Sequence, residues 1–133
     1  MLARVKKRIN IASGVEFEAA VGYSRAVRIG DQVFVGGTTA ILPGGGAVGG
    51  GDIIEQTKEV MRRIDAALRD AGATLEDVVR TRIFVTDMSH WAQVGAVHGA
   101  VFADIRPAAT MVEVSSLITP DLLVEIEADA VVS

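Results

Sequence analysis

Apolar and polar positions repeat most clearly between residues 52 and 72. Asp52, with Glu55 three residues later, is typical of a capped helix start, and Gly72 is a natural stop. Between them the apolar residues fall at helical spacing: Ile53, Val60, Met61, Ile64, Leu68 and Ala71. The pattern predicts a helix that lays one apolar face on a sheet.

Several shorter segments alternate with a period of two and predict strands. Two β-rich runs flank Gly30-Asp31, which indicates a hairpin with a tight turn, and a short strand is expected around Arg8 to Ala12. Three later segments alternate in the same way: 78–86, 109–115 and 123–132.

A second helix is predicted from Ser89, as its N-cap, to about Ala103. Its apolar stripe is expected to consist of Trp91, Val94, Val101 and Phe102. The predicted order is βββαβαββ, in which two helices cover one face of a mixed six-stranded sheet. We therefore expect an α+β sandwich and one domain over residues 1–133.

The strand faces locate the candidate chemistry. On the last strand the residues from Val124 to Val132 at even positions are apolar, while Glu125, Glu127 and Asp129 face the other way. Glu113, on the preceding strand, is expected to join these carboxylates. In the strand 78–86, Val79, Thr81, Ile83 and Val85 share one face, and Arg80, Arg82, Phe84 and Thr86 share the other. Alternating acids line either a solvated face or a cleft that exchanges protons.

Composition favours an oligomer and disfavours a nucleic-acid binder. The mean hydropathy is +0.37, yet aromatic residues supply only 5% of the chain, so a small core must accommodate many aliphatic side chains. The net charge of −4 argues against a phosphate-binding surface. No secretory h-region follows the basic start Met1 to Arg8, and no apolar stretch is long enough for a membrane span, so the cytoplasm is the expected location.

Metal and cofactor motifs are weak. The match Gly44, Gly46, Gly49 to a dinucleotide fingerprint lacks the parallel β-α-β context that such a site requires. Cysteine is absent. His90 and His98 are eight residues apart, which is too far for one ion on a helix. We expect an exposed His90 and a hydrogen-bonded structural His98, with a role in a pocket as the alternative for His98. No metal and no cofactor are expected.

The C-terminal half resembles the RidA (YjgF) family. The run Arg106-Pro-Ala-Ala-Thr-Met-Val-Glu-Val114 and the later Leu123-Val-Glu-Ile-Glu-Ala-Asp-Ala130 are similar to its signature end. Earlier segments match in the same order: Tyr23 before the Gly30-Asp31 turn, Gly36-Gly37-Thr38, Ala71-Gly72 and Phe84 to Met88. The resemblance covers roughly residues 20–132.

The resemblance implies a chorismate-mutase-like fold and a homotrimer with clefts between subunits. In its deaminases a glutamate positions water and an arginine holds the substrate carboxylate. Glu125 matches the glutamate, whereas Ala109 stands at the arginine position, and Met111 makes the pocket more apolar. Tyr23, Gly37 and Thr38 are the other expected lining residues. Arg25, Arg28 and Arg82 are left as possible replacements for the arginine.

Two functions stay open at this point. The chain is expected to be a deaminase-like hydrolase that acts on C=N bonds of a small metabolite in an intersubunit cleft, with Glu125 orienting water. The alternative is a trimer that binds a small ligand or regulates without catalysis. A ribonuclease fits poorly with the net charge of −4.

Overall fold

A computed structural model describes residues 7–133. Six strands and three helices follow in the order βαββαβαββ. Their bounds are β1 Arg8–Ile11, α1 Glu16–Val21, β2 Ala26–Ile29, β3 Gln32–Thr38, α2 Ile53–Asp70, β4 Val78–Val85, α3 Trp91–Phe102, β5 Ala108–Glu113 and β6 Val124–Val131. Residues Met1 to Lys6 of the basic start lie outside the described residues.

The strands form one mixed sheet in the order β1-β2-β3-β6-β4-β5. All neighbours are antiparallel except β4 and β5, which are parallel because α3 connects them. The last strand, β6, lies in the middle of the sheet between β3 and β4. This position brings the carboxylates of the C-terminal strand next to the first hairpin.

Helices α2 and α3 pack against one face of the sheet. Asp52 caps α2 by accepting from the backbone N–H groups of Ile54 and Glu55, and Gly72 follows the helix with φ 79°. Buried apolar residues of α2 meet the even-numbered residues of β6, including Val124, Ile126 and Ala128. The two-helix α+β sandwich with a six-stranded sheet is therefore confirmed. The other face of the sheet, called the open face below, carries no long helix among residues 7–133.

The structure adds a short helix and corrects the assignments of Val79 and Trp91. Helix α1 was not predicted, because a six-residue helix shows too little periodicity. Val79 is 48% exposed since β4 has a register shift between Val78 and Arg80, so it does not share the buried face of Thr81. Trp91 is 61% exposed and lies outside the apolar stripe.

The start of α3 also differs from the prediction. A 3-10 turn, Met88–His90, precedes it, and Asp87 rather than Ser89 is the capping side chain. His90 is half-buried instead of exposed, and its Nδ1 is buried without a hydrogen-bond partner among the described residues.

No helix within residues 7–133 is both long and apolar enough to cross a membrane.

Candidate functional site

A bulge in β3 forms the floor of the candidate site on the open face. The pairing of β3 with β6 shifts between Val35 and Thr38, where the chain reads Gly36-Gly37. Two glycines leave the backbone bare at this point, so a neighbouring side chain can lie directly on it. That side chain is Glu125 of β6.

Glu125 is half-buried and lies over Gly37. A β-carbon added to Gly37 would overlap the carboxylate and would lie 3.0 Å from the carboxyl carbon. Burial raises the pKa of Glu125; the Arg25 guanidinium acts to lower it, and the carboxylate of Glu127 raises it further. A carboxyl group with a raised pKa holds its proton more readily than an exposed glutamate and is suited to accept and return one.

Arg25 lies immediately before β2, and its positive charge acts to lower the pKa of the Glu125 carboxyl group. Its Nη1 donates to the carbonyl oxygen of Gly37 and, at 3.2 Å, to Oγ1 of Thr38. Its Nε lies 3.9 Å from Glu18, and both side chains are largely buried, with 12% and 8% exposed. The Arg25 guanidinium therefore connects Glu18 of α1 with the bulge that lies beneath Glu125.

Tyr23 borders the same area through the end of α1. Gly22 adopts φ 90°, and the N–H groups of Gly22 and Tyr23 both donate to the carbonyl of Glu18. This turn places the Tyr23 ring 5.7 Å from the Arg25 guanidinium carbon, within cation–π range. Tyr23 is 40% exposed, so its ring is accessible to a ligand.

The structure brings together four of the six residues named from the sequence. Glu125, Gly37, Thr38 and Tyr23 surround Arg25, although the Thr38 side chain is buried and bonds Gly36 and Arg25. A ligand would meet the backbone of this segment and not the Thr38 hydroxyl.

Ala109 and Met111 are not brought together with Glu125 within one chain. They pair with Thr81 and Ile83 of β4, whose side chains are buried under the helices, so they point to the helix side. Glu125 is on the open face and two strands away, a separation of about 10 Å at normal strand spacing. Their role as lining residues stays a prediction that requires a second copy at the β5 edge.

Glu113 is also on the helix side, so the expected grouping with Glu125 and Glu127 is wrong within the chain. It pairs with Val85, and its Oε1 accepts from the backbone N–H of Met88 at 2.8 Å. Glu113 thereby stabilises the 3-10 turn before α3.

The other carboxylates of the open face are paired. Nη1 of Arg82 lies 3.3 Å from Glu127 and 3.1 Å from Asp129. A concavity of about 590 Å³ adjoins them, bounded by α1 and the first hairpin; its lining includes Tyr23, Phe34, Glu127 and Asp129. The open face is thus a ligand-sized surface with acidic and aromatic side chains.

His98 lies on the helix side, far from this chemistry. Its Nε2 is 2.8 Å from Oγ1 of Thr81, and its ring packs on Phe102. Burial lowers the pKa of His98. The hydrogen-bonded structural role expected for it agrees with these contacts. Among residues 7–133 no group of three or more His, Asp or Glu is arranged to hold a metal ion.

Sequence reasoning missed Glu18, which positions Arg25. The signal was weak, because the segment before Tyr23 has no clear period. The combination Glu16-Phe-Glu18-Ala-Ala-Val-Gly22, acidic at its start and ending in glycine, does carry the signature of a single helical turn.

Comparison with known proteins assigns the chain to a family. The profile of the endoribonuclease L-PSP family matches residues 13–132. The chain belongs to this family. A RutC family protein of Pyrococcus abyssi is 42% identical over 108 residues, which cover 81% of this chain and 84% of that protein.

Solved structures of the family share the fold of this chain. A YjgF/YER057c/UK114 family member from Mycobacterium tuberculosis is 60% identical, with TM-score 0.86 over 95% of this chain and all of that one. A Rid family protein from Yersinia pestis is 34% identical, with TM-score 0.81 over 95% of this chain and all of that one. The resemblance to the RidA (YjgF) family and the chorismate-mutase-like fold are confirmed.

Proposed function

We propose that the protein is a deaminase-type hydrolase that acts on the C=N bond of a small metabolite at Glu125. The observation that carries the proposal is the half-buried carboxylate of Glu125, held over bare backbone at Gly37 and beside a cation. The concavity lined by Tyr23, Phe34 and Glu127 lies on the same face of the sheet, and a proton-transfer group beside a ligand-sized concavity is a typical arrangement for general acid–base catalysis.

The proposed reaction consumes one water. Glu125 accepts a proton from water while the oxygen attacks the imine carbon, and it returns that proton to the nitrogen, which gives a neutral carbinolamine. Glu125 then takes the proton of the carbinolamine hydroxyl and passes it to the nitrogen as the C–N bond breaks, so a carbonyl compound and ammonia leave. An enamine enters the same sequence after tautomerising to the imine.

Assembly into a homotrimer is part of this proposal. Exposed apolar residues, among them Phe34 and Val112, lie on the open face and on the edge strand β5. A neighbouring copy that covers them would also close the concavity and exclude water. Ala109 and Met111 would then line the cleft from the neighbour.

A non-catalytic ligand-binding trimer is the second candidate, and the residue at position 109 favours it. An alanine there cannot form the charge-assisted hydrogen bonds of an arginine, each worth about 1.5–3 kcal/mol. We therefore expect little acceleration of 2-iminopropionate hydrolysis. Robust turnover of that substrate would contradict the view that Ala109 removes the usual specificity.

The Glu125→Gln variant separates the two candidates. Hydrolysis of a panel of imines, both with and without a carboxylate, is followed by ammonia release for the natural chain and the variant. Activity in the natural chain that the variant lacks supports the hydrolase. Equal ligand binding by both proteins, with no ammonia from either, supports the binding trimer.

A ribonuclease is not proposed, although the family description names one. The net charge of −4 disfavours binding of a phosphate backbone, and Arg25 and Arg82 beside the candidate site are already paired with carboxylates.

A further inference from the structure

Arg25 contacts the Gly37 segment, and its guanidinium is engaged at Nη1 and Nε. One terminal nitrogen donates to the Gly37 carbonyl and to Thr38, and Nε faces Glu18. Glu18 in turn is fixed by Ser13, whose backbone N–H donates to it at 3.1 Å. Only 12% of the Arg25 side chain is exposed. Arg25 is thus built into the floor of the site instead of extending over it.

Its charge is also balanced. Glu18 is 7% exposed and forms an ion pair with Arg25, so the pair contributes no net charge when both are ionised. Glu125 adds a negative charge in the same place, and Glu127 stands two residues along β6. A carboxylate ligand would therefore meet a cation that Glu18 already compensates, beside the carboxyl group of Glu125.

The remaining candidate arginines serve elsewhere. Arg28 donates from Nε to the carbonyl of Gly30 and from Nη1 to that of Ala71, which ties the hairpin to the end of α2. Arg82 pairs with Glu127 and Asp129. Neither contacts Glu125 or Gly37.

We propose that Arg25 is a positioning residue that fixes the Gly37 bulge beneath Glu125, and that the site so built takes an uncharged or cationic C=N ligand, not a carboxylate. This inference deepens the proposed function and rests on it only in taking Glu125 as the group that faces the ligand. Its test needs binding and proton titration but no turnover, so a failure of catalysis and a failure of this inference are separate results.

The first measurement is the proton titration of the Glu125 side-chain carboxyl by ¹³C NMR on the full chain. Arg25→Gln is expected to raise the pKa of Glu125, because the cation that opposes its burial is removed. Arg25→Lys keeps the charge and is expected to restore the pKa of Glu125. The Gly37 amide resonance should still move, because lysine lacks the planar guanidinium that donates to Gly37 and Thr38. Arg28→Gln, three residues further along in β2, is the matched control and should change neither. An unchanged pKa in Arg25→Gln would overturn the positioning role.

The second measurement compares pyruvamide with pyruvate, which have nearly the same shape and differ by one charge. Shifts of the Gly37 amide resonance report binding. Pyruvamide is expected to bind several-fold more tightly than pyruvate. Tighter binding of pyruvate, or no binding of pyruvamide, would overturn the assigned ligand class.

Glu18→Gln provides a second variant that does not remove the arginine. It keeps a side-chain oxygen for Ser13 but frees the charge of Arg25. Pyruvate affinity is expected to rise several-fold, and pyruvamide affinity to stay the same. No gain for pyruvate would show that the Glu18 carboxylate does not suppress anion binding. That result would overturn the assigned ligand class.

Discussion

The carboxylate of Glu125 lies in the space that a β-carbon would fill on Gly37. The overlap involves the end of a flexible side chain and no backbone atom of β6. A side chain at residue 37 would therefore displace the carboxylate while leaving the sheet in place. The identity of residue 37 and the position of Glu125 are thus coupled.

The first prediction concerns Gly37→Ala. It should lower any Glu125-dependent turnover or ligand affinity by about tenfold or more, because a displacement near 1 Å at a reacting group has effects of this size. The melting temperature should change little, since Glu125 can rotate away. Calorimetry and ligand titration together check both expectations.

Gly36→Ala is the matched control for this variant. A β-carbon there would lie 3.5 Å from the carbonyl oxygen of Arg25 and 3.7 Å from that of Ser24, which are ordinary contacts. Ligand affinity should fall less than in Gly37→Ala, because the carboxylate of Glu125 is not displaced. Equal losses in both variants would show that the bulge tolerates no β-carbon and that Glu125 is not specifically involved.

The second prediction concerns stability and pH. The folded chain holds a proton on Glu125 more tightly than the unfolded chain does, because the pKa of Glu125 is raised. Its contribution to stability is therefore present at low pH and is lost as pH rises through the folded pKa. Glu125→Gln should melt at a higher temperature than the natural chain at pH 7, and the difference should shrink at pH 4. A variant that is less stable at pH 7 would contradict the stated cost of ionising Glu125.

Long periodic elements were predictable from the sequence, while the arrangement of the site was only partly so. The spacing from Asp52 to Gly72 indicated α2, and the alternation at Glu125 placed its carboxylate on the open face. Both predictions follow from the spacing of apolar and polar residues within one continuous segment of the chain.

Features that depend on neighbouring strands were not predictable in this way. Val79 alternates correctly in sequence, yet the β4 bulge turns it outward. Ala109 and Glu125 each have an evident strand face, but only the parallel pairing of β5 with β4 shows that these faces are opposite. Glu18 lies beside Arg25 because the chain turns at Gly22, and the apolar pattern of the sequence does not indicate that turn.

The third prediction uses His98, which bonds Thr81. The pKa of His98 is lowered by burial, so the folded chain favours the neutral ring. That stability is present above the usual histidine pKa of about 6.5 and is lost as pH falls through the folded value. His98→Gln should reduce the fall in melting temperature between pH 7 and pH 5. Thr81→Ser keeps a hydroxyl for the ring and should retain that fall; an identical pH dependence in the natural chain and His98→Gln would contradict the argument.

The fourth prediction tests the proposed assembly through Val112 and Val79, two valines with similar exposure on adjacent strands. Val112 is 41% exposed on the edge strand β5 and pairs with Phe84 on the open face, whereas Val79 is 48% exposed at the β4 bulge. If a neighbouring copy covers the open face and its edge, a charge at Val112 is buried without a partner on assembly, at a cost of several kcal/mol. Light scattering should therefore give three chains for the natural protein and for Val79→Glu, and fewer for Val112→Glu.

Because Ala109 and Met111 can meet Glu125 only across such a contact, Val112→Glu should also weaken ligand binding at the Gly37 amide. A natural chain that is monomeric at micromolar concentration would contradict both the proposed trimer and the proposed contribution of Ala109 to the cleft.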